Sequence, residues 1–192
     1  HRWWKVHYQS FSLWISDWDI QVVWKTDHTG TIVRFYPDAS IFKISTEFDY
    51  KTIKNRLRQQ AYLTKWITLY LNDERNGERY KYYFEWGIKS YVNFLNKKED
   101  TIWEVFYVEK EKNDILVELS MQYNKEYSDN IITFVNNIHT PEGWSHLTWF
   151  RMALTRTINK YARDKGILKE KDQNLTNDDV IEWLTCVISV KV

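Results

Sequence analysis

Residues 115–123, ILVELSMQY, alternate from Val117 onward. Ile115, Val117, Leu119, Met121 and Tyr123 point to one side, and Glu118, Ser120 and Gln122 to the other. A period of two held over seven residues defines a β-strand with two chemically distinct faces. A strand of this length needs neighbouring strands and an apolar layer laid against it.

Both are readable elsewhere. Strands are expected at 5–11 (KVHYQSF), 19–24 (DIQVVW) and 31–38 (TIVRFYPD, closed by Pro37), so three antiparallel strands fill the first forty residues. A turn at 25–31 (KTDHTGT) centres on Gly30. ITLYLND and YKYYFE, joined by ERNGER, read as a hairpin. NIITFVNNIHT reads as one further strand, and LTCVISVKV as the last, with Cys186, Ile188 and Val190 facing one way.

Helical spacing takes over in three places. Tyr50, Ile53, Leu57 and Ala61 fall on one helix face behind Asp49, a good N-cap, with a domain boundary placed near Thr46. IKSYVNFL is a short helix. The longest helix runs from about Ser145 to Lys165, with Leu147, Phe150, Leu154, Ile158 and Tyr161 as its apolar stripe, Ser145 as N-cap and Gly166 as its stop. A short helix follows Thr176, whose neighbours Asp178 and Asp179 suit a helix N-terminus. Strands first and strand–helix units after them make the fold class α+β.

Composition excludes several functions. The chain has 192 residues, 43% of them hydrophobic, a formal net charge of +1 and one cysteine, Cys186. No apolar run is long enough to span a membrane, and a lone cysteine forms no internal disulfide, which fits a cytoplasmic setting. His1, His7, His28, His139 and His146 share no ligand-like spacing. No glycine-rich phosphate loop and no nucleophile signature occurs. The basic faces of 51–58 and of the long helix, where Arg151, Arg156, Lys160 and Arg163 lie, read either as solvated helix surface or as phosphate contacts. The residues by themselves show no complete active site.

Several segments together carry a resemblance. TDHTGTIVRFYPDASIF, TEFDYKTIKNRLRQQAYL, EYSDNIITFVNNIHTPEG, HLTWFRMALTRTINKYAR and LKEKDQNLTNDDV…LTCVISVKV resemble, in order and over essentially the whole chain, the ATPase half of bacterial DNA gyrase B. The B subunit of topoisomerase IV shares that fold and is the alternative within the class. A non-enzymatic nucleic-acid-binding domain using Trp and Arg side chains is the alternative outside it.

The resemblance implies that residues 1–45 are the C-terminal strands of a GHKL-type ATP-binding domain. Residues 46–192 are then a transducer domain with a left-handed βαβ crossover and one long helix. Thr31, beside Gly30, would join the hydrogen-bond network around the adenine, sharing a strand face with Val33 and Phe35. Arg2 would stand at the mouth of the inhibitor pocket. Arg151, Arg156, Lys160 and Arg163 would face a cavity that holds DNA. The full protein would use ATP and Mg2+, pair with gyrase A, dimerise through its own ATPase region and drive DNA strand passage and supercoiling. Its catalytic Glu, Mg-binding Asn and phosphate-gripping loops would lie outside these 192 residues, so the segment alone is expected to be inactive on ATP.

One departure is systematic. The chain holds eleven tryptophans against five glycines. Trp3, Trp4, Trp14, Trp24, Trp66, Trp86, Trp144, Trp149 and Trp183 stand where the resembling family has glycine or a small turn residue. Tryptophan at a left-handed backbone position is strained by about 1–2 kcal/mol, so these sites read as replacements. Decay of a gene copy, a miscalled base or a non-standard reading of a stop codon are the origins left open.

Overall fold

Both faces of the 115–123 strand are covered. The computed structural model describes residues 5–125, 129–141 and 144–192, which fall into two compact units, 1–47 and 48–192. In the first unit, β1 (Val6–Tyr8) pairs antiparallel with β4 (Gln21–Trp24), and β2 (Phe11–Ser12) pairs with β3 (Ile15–Ser16). The expected strand at 31–38 is not formed. Its apolar residues Ile32, Val33, Phe35 and Tyr36 are exposed, and no ladder reaches it among the described residues. A β-pattern without a hydrogen-bonding neighbour does not make a strand.

The second unit opens with α1 (Tyr50–Leu63). The Asp49 carboxylate accepts the Thr52 backbone N–H at 2.6 Å and caps the helix. A hairpin follows, β5 (Leu69–Asp73) on β6 (Glu78–Tyr82), and then α2 (Ile88–Leu95). Gly87 begins α2 at φ +53°, and a Cβ there would sit 2.7 Å from the Lys65 Cγ and 3.2 Å from the Tyr62 carbonyl oxygen. Only glycine fits this close approach.

The main sheet then assembles in the order β10-β9-β11-β8-β7, from β7 (Phe106–Lys112), β8 (Ile115–Tyr123), β9 (Asn130–Val135), β10 (Ile138–His139) and β11 (Leu184–Lys191). β11 is antiparallel to β8, with Cys186 opposite Met121, and parallel to β9, with Ile188 opposite Thr133. The β9–β11 crossover carries α3 (Trp144–Asp164) and α4 (Asn177–Ile181). The sheet is therefore mixed, and the fold is α+β.

NIITFVNNIHT is a hairpin and not one strand. Asn136 and Asn137 turn it at φ 48° and 64°, the left-handed pair of a two-residue loop that asparagine tolerates.

α3 packs on one face of the sheet. Phe150 and Leu154 meet Leu184, Cys186 and Ile188 together with Leu119, Met121 and Tyr123 of β8. The other face carries a second core of Tyr62, Leu63, Ile88, Tyr91, Val92, Phe134 and Val187, in which Tyr62 stacks on Phe84 at 3.7 Å and on Tyr91 at 4.6 Å. Tyr161, expected in the α3 stripe, faces out at 58% exposure, and Ala162 takes the inward place.

α3 begins at Trp144, one residue before the expected cap Ser145. It ends as expected: Gly166 adopts φ +69°, the Gly166 N–H reaches the Arg163 carbonyl, and the Ile167 N–H reaches the Ala162 carbonyl. This pair of bonds is a Schellman closure.

Candidate functional site

The residues tied to a nucleotide lie in the first unit. Gly30 and Thr31 are exposed, with open space around the position of a Gly30 Cβ. Beside them Val33 is 79% and Phe35 66% exposed. No described residue of this unit is buried. A dry pocket needs a second layer against the wall, and within this unit none is present among the described residues. Gly30 and Thr31 thus offer at most one side of a nucleotide site. Arg2 lies outside the described residues. No group of three or more His, Cys, Asp or Glu is placed to hold a metal ion among the described residues.

The basic residues of α3 separate into three kinds. Arg156, Lys160 and Arg163 line an open groove of about 830 Å³ with Trp149, Met152 and Asn159. Arg151 is elsewhere and faces Asp129 at 3.8 Å. The Arg163 guanidinium is occupied: Nε and Nη2 donate to the Asn174 side-chain oxygen at 3.0 and 2.6 Å, Nη1 to the Lys169 carbonyl at 3.0 Å and Nη2 to the Asp172 carbonyl at 2.9 Å. It ties the 167–174 loop to α3. Its donors are turned inward, whereas Arg156 and Lys160 are exposed.

Asn159 does similar work deeper in the groove, accepting from the Leu175 N–H at 2.8 Å and donating to the Leu175 carbonyl at 3.0 Å. It fixes the entry to α4, where Thr176 and Asp179 form a reciprocal capping box.

A charged cluster on the opposite sheet face was not read from the sequence. Glu118 is 3% exposed. Its carboxylate lies 2.6 Å from the Lys65 ammonium and 3.2 Å from that of Lys191, and accepts the Tyr107 hydroxyl at 3.0 Å. Glu109 closes the group at 2.6 Å from Lys65. The hydrogen bonds from Lys65 and Tyr107 hold the Glu109 carboxyl below its ordinary range. Burial disfavours the Lys65 charge, but its bonds to Glu109, Glu118 and Tyr107 outweigh this and raise its pKa. Beside it lies a wholly neutral network. Asn96 donates to the Gln122 side chain at 2.8 Å and accepts from Thr185 at 2.7 Å and Asn124 at 3.3 Å. The only signal for either group is the polar face of β8: Glu118, Ser120 and Gln122 are all buried.

The tryptophans cluster by backbone geometry. Trp14, Trp66 and Trp183 have φ of 68°, 67° and 65°. Trp149 is 72% exposed, Trp86 64% and Trp24 63%, so these rings do not overpack a core. Trp3 and Trp4 lie outside the described residues, as does the side chain of Trp144.

The two compact units match a known class of structure, the ATPase region of type II topoisomerases. The 43K ATPase domain of Thermus thermophilus gyrase B, solved in complex with an aminocoumarin, superposes with a TM-score of 0.80 at 31% identity, over 98% of this chain and 52% of that one. A DNA gyrase B family model matches residues 87–192. The B subunit of DNA gyrase from Bacillus mycoides is 45% identical over 193 residues, covering 100% of this chain and 48% of that protein. Its counterpart in Streptococcus pyogenes serotype M3 is 45% identical over 190 residues, 97% of this chain and 29% of that protein. The chain belongs to the DNA gyrase B family. It spans about half the length of the Bacillus relative and under a third of the Streptococcus one.

Proposed function

We propose that this segment works within the ATPase and transducer region of a gyrase B protein, coupling ATP binding and hydrolysis to DNA strand passage and negative supercoiling. The observation that carries this is the fold match to the Thermus thermophilus gyrase B ATPase domain over nearly the whole chain. Residues 1–45 are then the C-terminal strands of the ATP-binding domain and 46–192 the transducer. The division of the chain after Glu47 supports that boundary.

The first unit supports it too. Phe11, Ile15, Val22, Ile32, Val33 and Phe35 are all exposed in a unit with no buried residue among those described, which supports their being covered in the longer protein. Further strands of an ATP-binding domain would cover them and complete the site around Gly30 and Thr31. In that assembly Thr31 positions the adenine through its hydroxyl, and Arg2 lies near the pocket mouth. Mg2+ would bind through residues outside the described set. Arg156 and Lys160 would meet the phosphates of a captured DNA segment without reading its sequence. The partners are DNA, gyrase A and a second copy of gyrase B, and the setting is cytoplasmic.

The test is a supercoiling assay of full-length gyrase B with gyrase A. Thr31→Ala is expected to raise the KM for ATP roughly tenfold, the equivalent of one hydrogen bond. The Arg156→Glu/Lys160→Glu variant should retain ATP binding and lose most supercoiling at moderate salt. A full-length protein that hydrolyses ATP without changing DNA topology would overturn the reading.

A further inference from the structure

Eight described residues other than glycine have positive φ, and they fall into two groups. Four are Asn113, Asp114, Asn136 and Asn137, which make the two-residue turns between β7 and β8 and between β9 and β10. Asparagine and aspartate are the side chains that tolerate this region. The other four are Leu13, Trp14, Trp66 and Trp183, and three of them are tryptophan.

Two of these tryptophans have a counterpart in the same molecule that shows what the backbone requires. Leu13 and Trp14, at φ 50° and 68°, connect β2 to β3 through the same kind of loop that Asn113–Asp114 and Asn136–Asn137 make. The second position of such a loop is the one that favours glycine most. Trp183 follows the C-cap of α4 at φ 65°, just as Gly166 follows the end of α3 at 69°. Its carbonyl accepts the Asn124 N–H at 3.0 Å, which ties the turn to the end of β8. Trp66 lies just beyond the C-cap Thr64 of α1 at φ 67°, and the Ile67 N–H turns back to the Thr64 carbonyl at 3.4 Å. The three indoles are 90%, 63% and 41% exposed at 14, 66 and 183. At 14 and 66 burial therefore gives no reason for a ring of this size.

Composition shows the same displacement. Glycine at its ordinary share of about 7% would number about 13 in a chain of this length, against the five present, while tryptophan numbers eleven. Random drift would scatter many residue types over such turns. Tryptophan at all three of 14, 66 and 183 is the mark of one codon read in two ways. UGA stands one base from the tryptophan codon UGG and one base from the glycine codon GGA.

We propose that positions 14, 66 and 183 are glycine in the protein its own cell makes, encoded by UGA and decoded there as glycine. Trp18 and Trp103 are of the other kind. Neither has positive φ, and the Trp18 ring lies 6.1 Å from that of Tyr8. They are genuine tryptophans encoded by UGG.

The test is peptide mass spectrometry of the full protein purified from the cells that carry the gene, beside the genomic codons. Peptides spanning 14, 66 and 183 should each be lighter by the difference between an indolylmethyl group and a hydrogen, while those spanning 18 and 103 keep tryptophan. Tryptophan at any of the three, or UGG codons there, overturns the proposal. A second readout uses the recombinant full-length protein. The W14G/W66G/W183G variant should melt at a higher temperature than both the parent and the W14A/W66A/W183A variant, because only glycine removes the backbone strain. Equal melting of the glycine and alanine variants overturns the glycine assignment.

Discussion

The Lys65 ammonium lies 2.6 Å from the Glu118 carboxylate, joining the end of α1 to the middle of the main sheet through a side chain that is almost wholly buried. Lys65→Met removes the nearer cation and leaves Glu118 with Lys191, itself only partly covered. Loss of one partner from a buried ion pair costs about 3 kcal/mol or more. Glu118→Gln, which removes the buried charge and keeps an acceptor for Tyr107, is expected to cost less. Urea unfolding of the two variants, with unchanged slopes, measures the difference.

The same cluster sets a pH window. Glu109 has a depressed pKa in the folded state, so its stabilisation is present above the ordinary carboxylate range and is lost as pH falls through the folded value. The Lys65 pKa is raised, so its stabilisation is complete below the ordinary lysine value and is lost as pH rises through the folded one. Burial also raises the Cys186 thiol, which adds a loss of stability once the unfolded thiol ionises, above about pH 8.5. The melting temperature should form a plateau near neutrality and fall on both sides. Cys186→Ala should flatten the alkaline slope without altering the acid one.

Arg156 and Arg163 lie on one face of α3 and should respond differently to the same change. Arg163→Met releases the 167–174 loop and is expected to cost about 2 kcal/mol, with faster amide exchange in that loop. Arg156→Met, at an exposed position, should stay within about 0.5 kcal/mol of the parent. Equal destabilisation would show that Arg163 does not anchor the loop.

Asn96→Leu would remove its three buried hydrogen bonds, with Gln122, Thr185 and Asn124, at once. A buried hydrogen bond contributes about 1 kcal/mol net, so this one substitution is expected to cost about 2–4 kcal/mol. Chemical denaturation of the variant beside the parent would show it.

Local structure was largely legible. Asp49 and its stripe marked α1, IKSYVNFL marked α2 to the residue, and Gly166 marked the end of α3. What failed was information held by neighbours. The alternation of 31–38 is strand-like, yet a ladder needs a partner. Asn136–Asn137 could have been read as a turn, since two asparagines in succession suit left-handed backbone. Tyr161 and Ala162 are both compatible with the α3 stripe by spacing, and the packing against the sheet selects the smaller. The polar face of β8 carried no sign that α1 and α2 would bury it, so Lys65, Glu118 and Asn96 went unread. The basic face of α3 was visible, but not that Arg163 turns its donors onto a loop.

The position of β11 has a consequence for how the chain is born. It is the last strand of this sheet in sequence and sits between β8 and β9, which are not neighbours in the sheet. Until the ribosome releases it, those two strands expose open edges toward an empty slot, competent to pair with any other strand they meet. Synthesis paused before residue 184 therefore holds the sheet in its most aggregation-prone form, and a nascent-chain chaperone would find its binding site there.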